Sequence, residues 1–168
     1  MVKEKKGGEL LDSLKIILKF MNSLPNQHFH VGVYGILINE NKVLLIKKSR
    51  GAYKGMFDIP GGSIEFGEKV EDALKREFIE ETGVVLKDYI FIGHNEHFCD
   101  YLNESNEQRE LHHLGLYYKV SASFDKIKTD PDGHDSLGAE FIEIENLDKI
   151  KISPIARPMI EKLIDKNI

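Results

Sequence analysis

A chain of 168 residues with 41% hydrophobic and 30% charged residues has the length and balance of one globular domain with a sizeable core, plus an appended element. Its formal net charge of −5 argues against a broad nucleic-acid-binding surface, so any phosphate chemistry needs a metal or a few placed cations. Cys99 is the single cysteine, so no internal disulfide can form, and no apolar run approaches the roughly 18 residues of a membrane span.

The basic start is followed by Glu9, Asp12 and Lys15 and lacks an uninterrupted signal-peptide core, so the chain reads as cytoplasmic. Over residues 9–22, Leu10, Leu11, Leu14, Ile17, Leu18 and Met21 fall on one helical stripe, bounded by Gly7-Gly8 and Pro25. So short a helix must dock on something, either its own domain or a second subunit. Residues 28–37 and 42–48 read as strands joined by the polar turn Asn39, Glu40 and Asn41. A loop over 49–55 leads into a turn-rich stretch at 57–62. A helix is predicted over 67–82, then strands at 84–86, 89–98, 112–121 and 139–144, with a polar loop over 125–138. Ser153 and Pro154 open a last helix to about residue 165, Ser as N-cap and Pro at the first helical position. This order suggests α+β, or a layered α/β/α domain with a mixed sheet.

The helix over 67–82 carries the chemistry. Val70, Ala73, Leu74 and Phe78 should face the core, and the same stripe continues into Glu77 and Glu81, with Glu80 beside them. Like charges at this spacing repel, carboxylates bordering a buried stripe are costly to desolvate, and a helix C-terminus disfavours anions. A divalent cation would remove all three conflicts. Oxygen-only ligands favour Mg²⁺, Mn²⁺ or Ca²⁺ over Zn²⁺.

The flanking residues resemble the Nudix box, G-x5-E-x7-R-E-U-x-E-E-x-G-U, with U an apolar residue. Gly62, Glu68, Arg76, Glu77, Phe78, Glu80, Glu81, Gly83 and Val84 occupy its fixed positions, with Phe78 where an aliphatic residue is usual. The resemblance runs from about residue 28 to 165. It implies a Nudix domain over 26–168 with a helical extension over 1–25. The implied fold is α+β, an α/β/α layered sandwich with a mixed sheet. The implied activity is Mg²⁺-dependent cleavage of a diphosphate linkage in a nucleoside diphosphate derivative: a nucleoside triphosphate, a nucleotide sugar or a dinucleoside polyphosphate. Mn²⁺ can substitute. The alternative is a catalytically silent Nudix-fold nucleotide-binding or sensor module, which usually loses box carboxylates. A homodimer is expected.

By resemblance, Glu77, Glu80 and Glu81 are metal ligands with the Gly61 carbonyl, and Glu68 lies near a metal or in a salt bridge. Read as part of the helix, Glu68 belongs to the first turn, where an anion is favoured. Arg76 should orient a carboxylate by charge-assisted hydrogen bonds. Gly83 suits a helix C-terminal cap. The general base is Glu77 or a residue of the 125–138 loop; Asp135 stands near the place where relatives carry an acidic residue, with Asp132 and Glu140 as fallbacks. Lys48 resembles the basic residue that meets phosphates, and Arg50 is close by. Phe57, Tyr53 and Tyr118 are candidates to stack on a base. Adjacent strand residues face opposite ways, so His112 and His113 should not form one metal site. ADP-ribose enzymes of the family tend to carry a proline where Asp100 stands here; Tyr101, 17 residues past Val84, faintly resembles the tyrosine of dinucleoside polyphosphate enzymes.

Overall fold

The computed structural model describes residues 26–131, 133 and 135–165; the helix expected over 9–22 and the fallback Asp132 lie outside them. The first hairpin forms as its turn chemistry suggests. Strand β1 (Gln27–Asn39) and strand β2 (Lys42–Lys48) pair antiparallel, Asn39 opposite Lys42, so Glu40 and Asn41 make a two-residue turn. Both have positive φ, 47° and 65°, matching the right-handed twist of the strands they join. The unbroken apolar run of β2 has a simple cause. Leu44 and Ile46 enter one core cluster while Val43 and Leu45 enter the other, so both faces are buried.

Two short strands follow. β3 (Phe57–Asp58) lies against β2, and β4 (Gly61–Ser63) lies against β1 with Gly62 opposite Val33. Helix α1 (Val70–Thr82) comes next, closed by Gly83 at φ 72°, whose N–H donates to the Ile79 carbonyl over 2.9 Å. It begins three residues later than the pattern predicts. Gly67 turns the chain at φ 82°, which a right-handed helix cannot include, and Lys69 takes the N-cap position.

The expected strands at 84–86 and 89–98 are one long strand, β5 (Leu86–Leu102). Register shifts at Leu86/Asp88 and Phe91/Gly93 break its alternation, so the pattern reads as shorter pieces. β5 hairpins onto β6 (Gln108–Ala122), and β6 runs parallel to β1 from Gln27 opposite Glu110 to Leu37 opposite Val120. Strand β7 (Ser136–Glu143) returns to pair with β2. The seven strands form one mixed, curled sheet. A 3₁₀ turn (Ile144–Lys149) leads to helix α2 (Arg157–Asp165). It starts at Arg157 and not at Pro154 as expected, and Ser153 caps the turn that leads into it: its carbonyl accepts from the Arg157 N–H (3.1 Å) and its hydroxyl from the Ala156 N–H (3.3 Å).

Each helix covers one face. α1 buries Ala73, Leu74 and Phe78 against Val33, Leu37, Leu44 and Ile46. α2 buries Met159, Ile160 and Leu163 against Tyr34, Ile36, Leu45 and Tyr117. Phe78 is fully buried, and truncating so large a core side chain typically costs about 3–5 kcal/mol. This packing holds the acidic end of α1 beside the N-terminal half of β1. Among the described residues no helix is long and apolar enough to cross a membrane.

Candidate active site

The last turns of α1 carry Glu77, Glu80 and Glu81, with no basic residue in the final turn to meet the helix dipole. Compensation comes from elsewhere in the chain. Glu81 is 2% exposed; its Oε2 accepts the Gly61 N–H at 2.8 Å, and its Oε1 lies 4.0 Å from Lys48 Nζ. Burial pushes its carboxyl well above the usual carboxylate range, with Lys48 and the Gly61 N–H opposing. Burial also raises Glu77, against the pull of Arg76.

Arg76 clasps this end of the helix. Its Nε and Nη2 make a bidentate pair with Glu68, each bond 2.9 Å, and its Nη1 donates to Glu77 at 2.8 Å. Nη2 also donates to the Ser63 carbonyl, and Glu80 lies 3.6 Å from Nη1. The fork geometry of guanidinium suits this role and an ammonium does not. Glu68 stands before α1, in a turn with Glu65, and so is not in the first helical turn as expected. The Arg76 hydrogen bonds, helped by the Glu65 N–H, hold its carboxyl down at about 2.

Two glycines allow the close packing. Gly61 sits at φ 143°, and a Cβ there would lie 2.1 Å from the Val33 carbonyl oxygen. A Cβ on Gly62 would lie 2.6 Å from the Glu77 carboxylate. Any side chain would push β4 off β1 or Glu77 off the backbone.

Glu77, Glu80, Glu81, Gly62 and Ser63 line one wall of a cleft of about 260 Å³; Lys48, Arg50, Asp135, His30 and Tyr34 line the other. Lys48 is ion-paired with Asp135. Burial alone would lower the ammonium pKa, but Glu81 and Asp135 outweigh it and leave it raised. The Ser49 N–H donates to the Asp135 carbonyl at 2.7 Å, tying the loop before β7 to the end of β2. Among the described residues no three His, Cys, Asp or Glu groups converge in ligating positions as they stand, since Arg76 and Lys48 hold the carboxylates. The set nonetheless suits a hard divalent cation. It is oxygen-rich, Glu80 is half-exposed, and the buried Glu81 and half-buried Glu77 would be stabilised by added positive charge.

The cleft continues into a second compartment of about 280 Å³, sharing His30, Tyr34, Lys48, Arg50 and Asp135 and adding His28, Tyr53, Asp58, Tyr101, Leu111 and His113. His113 is its buried centre. Its Nε2 pairs with the Tyr34 hydroxyl (2.8 Å) and its Nδ1 with the Tyr53 hydroxyl (3.2 Å). Burial first, then His30 and Lys48, depresses its pKa to about 3, so the ring is neutral. One ring nitrogen therefore donates and the other accepts, and the two tyrosines take opposite roles. Burial, with His28 and Lys48, lowers His30 to about 4. Burial raises Asp58 to about 6, opposed by Lys48, the Ile59 N–H and Ser153.

The fold brings Lys48, Arg50, Glu77, Glu80, Glu81 and Asp135 together in the first compartment, and Tyr53 and Tyr101 into the second. Gly61 stands behind Glu81, and Glu68 stands behind Arg76. Phe57 packs against the α2-side core, with Lys47 Nζ 5.8 Å from its ring centre. Tyr118 is buried in the α1-side core against Tyr89 and Phe91. Glu140 is exposed on β7. His112 and His113 do face opposite ways, only His113 entering the cleft. Sequence reasoning passed over His30, Tyr34, Asp58 and His113 as site residues. Strand alternation places His28, His30 and Tyr34 on one face of β1, but which face meets the site depends on the packing of α1 and β6.

Comparison with known proteins agrees with the fold. A family model described as NUDIX domain matches residues 28–163. The chain is 35% identical over 123 residues to the ADP-ribose pyrophosphatase of Methanocaldococcus jannaschii, covering 73% of this chain and 67% of that one. It is 36% identical over 59 residues to the oxidized purine nucleoside triphosphate hydrolase of Mus musculus, covering 35% and 38% of the two chains. Two solved structures share the fold. The MutT protein from Methanosarcina mazei Go1 superposes with a TM-score of 0.62 at 18% identity, covering 84% of this chain and 96% of that chain. The NUDIX domain of Shewanella oneidensis NrtR, complexed with ADP ribose, does so with a TM-score of 0.63 at 15% identity, covering 88% and 92%.

Proposed function

The chain belongs to the Nudix family of hydrolases, which act on phosphorus anhydrides, and we propose that it cleaves the diphosphate linkage of a nucleoside diphosphate derivative with Mg²⁺, Mn²⁺ able to substitute. One observation carries this reading. Three carboxylates at the end of α1 share a cleft with Lys48 and Arg50, and the cleft opens into a histidine- and tyrosine-lined compartment. Such a site offers anionic groups to a metal, cations to a diphosphate, and aromatic and polar groups to the rest of the substrate.

Glu77, Glu80 and Glu81 would hold the cation. When bound, it would supply charge neutralisation on the diphosphate and a water of lowered pKa. Arg76 keeps Glu77 aimed into the cleft, and Glu68 keeps Arg76 in place. Lys48 and Arg50 face the phosphate oxygens, with Asp135 setting the position of the Lys48 ammonium. Glu77 is the proton acceptor we favour within the helix, because its Arg76 hydrogen bond holds the carboxylate in the cleft. His113, fixed by Tyr34 and Tyr53, presents a neutral ring to the far end of the substrate.

The similarity to an ADP-ribose pyrophosphatase makes ADP-ribose the first substrate to test, although Asp100 replaces the proline frequent in such enzymes. The deciding experiment is a panel of ADP-ribose, other ADP-sugars, nucleoside triphosphates and dinucleoside polyphosphates with Mg²⁺, run beside Glu80→Gln. Release of a nucleoside monophosphate from ADP-ribose is expected, with a loss of about 10²-fold in the variant. If Glu80→Gln turns over as fast as wild type, the metal-site assignment is wrong. If the wild-type chain binds members of the panel but cleaves none, it is a nucleotide-binding module.

A further inference from the structure

Strand alternation puts His28, His30 and Tyr34 on one face of β1, and the parallel ladder sets His30 opposite His113 of β6. Their polar atoms line up in sequence. His30 Nε2 lies 3.4 Å from the Tyr34 hydroxyl, that hydroxyl 2.8 Å from His113 Nε2, and His113 Nδ1 3.2 Å from the Tyr53 hydroxyl. Both rings are neutral, so each carries one ring proton. The Tyr34 hydroxyl has a single proton to donate, and the lengths decide where it goes. O–H donors sit at ~2.7–2.8 Å and N–H donors at ~2.9–3.0 Å from an acceptor, so the bond to His113 is the one Tyr34 donates. His113 then holds its own proton on Nδ1 and donates it toward Tyr53. His30 must be protonated on Nε2, since a bare nitrogen there would set two lone pairs against each other. Its Nδ1 is left as an acceptor, and among the described residues no group pairs with it.

We propose that His30 Nδ1 is the specificity-determining acceptor of the second compartment: it takes a hydroxyl hydrogen bond from a sugar beyond the diphosphate, so the enzyme selects a nucleoside diphosphate sugar. Tyr34, His113 and Tyr53 are positioning residues that fix the His30 tautomer. His30 lines both compartments, beside Lys48 and Arg50, where the group that follows the diphosphate enters. A base in this compartment would need ring faces to stack on. Tyr34 and Tyr53 are only 5% and 6% exposed, and their faces lie against Tyr117 and His113. His113 shares the wall, but both of its nitrogens are taken. The lining groups that are not buried include His30, Arg50, Tyr101, Glu104 and Asp135, a mixture of donors and acceptors. Such a set complements hydroxyls, each of which donates and accepts, better than a base edge with one fixed pattern.

The inference rests on the diphosphate-hydrolase reading, and its test separates the two. The full chain, with ¹⁵N-labelled histidine, is titrated in metal-free buffer with ADP-ribose or with the methyl ester of ADP, which lacks the sugar. Long-range ¹H–¹⁵N spectra should show the Nε2–H tautomer at His30 and the Nδ1–H tautomer at His113. ADP-ribose should shift the His30 Nδ1 resonance and the methyl ester should not. With Mg²⁺, His30→Phe should raise KM for ADP-ribose about tenfold with kcat nearly intact, and leave KM for the methyl ester unchanged. Tyr34→Phe should mix the His30 tautomers and raise the ADP-ribose KM about threefold; it carries the test if His30→Phe does not fold. A wild-type chain that cleaves neither compound ends the hydrolase reading, while the His30 shift still decides sugar recognition. The reverse tautomers, a His30 shift with both ligands alike, or an equal rise in KM on both compounds would overturn the proposal.

Discussion

The two compartments of the cleft are built on opposite principles. The carboxylate end of α1 is crowded and short of compensation: Glu81 is a buried carboxyl and Glu77 a half-buried one, and Arg76 and Lys48 offset their charge only in part. The histidine–tyrosine compartment is internally satisfied, with His113 bonded through both ring nitrogens and held neutral. Unrelieved charge stores an affinity for a cation at the cost of stability without one, while a satisfied neutral network gives a fixed wall for recognition. Chemistry is thus placed where the fold is strained electrostatically, and recognition where it is not.

Breaking the strained side should have the largest effect. Glu81→Gln removes a buried anion but keeps an acceptor for the Gly61 N–H. Steady-state kinetics should show kcat/KM falling about 10³-fold, some 4 kcal/mol of transition-state stabilisation. Thermal unfolding in metal-free buffer should give an unchanged or higher Tm; a large drop would refute the idea that this carboxylate is destabilising.

Asp58 tests the second compartment, whose wall it lines. Its folded pKa of about 6 lies above its ordinary 3.8, so the stability it contributes is full below 3.8 and lost as pH rises through 6. Asp58→Asn should flatten urea-derived stability across that window, by up to about 3 kcal/mol. An unaltered pH profile would mean the carboxyl is better solvated than its burial implies.

Arg76→Lys keeps the charge and loses the fork. A kcat lower by about tenfold with little change in KM is expected, because Glu77 loses its orientation and the substrate keeps its contacts. A rise in KM alone would instead place Arg76 on the substrate. Tyr53→Phe, the mildest change, removes one hydrogen bond to His113, typically worth about 1 kcal/mol. Its effect should fall on KM, about fivefold, with kcat nearly intact; the reverse split would merge the two compartments into one functional unit.

Legibility in the sequence follows the same divide. The carboxylates of the metal side, Glu77, Glu80 and Glu81, lie within residues 62–84, and a helix converts their spacing into proximity through its 3.6-residue period. The core stripe of α1, a polar turn between β1 and β2, and the Ser153 cap were readable for the same local reason, although the turn proved to be Glu40 and Asn41 alone, with Asn39 in β1. The start of α1 was misplaced because Gly67 and the Arg76–Glu68 pair, eight residues apart, decide where the helix begins. Phe57 and Tyr118 had suitable side chains for stacking, but the faces of β3 and β6 on which they lie are covered by the two cores.

By itself, then, the order of residues determined the family, the acidic helix end and the expectation of a divalent cation, since all three rest on contacts between near neighbours. Only the tertiary structure decided that Lys48 would meet Glu81 and Asp135, and that His113 would sit between Tyr34 and Tyr53. Those encounters depend on the parallel pairing of β1 with β6 and the return of β7 to β2. No local periodicity encodes strand partners some 80 residues apart, because their choice is made by the burial of whole faces.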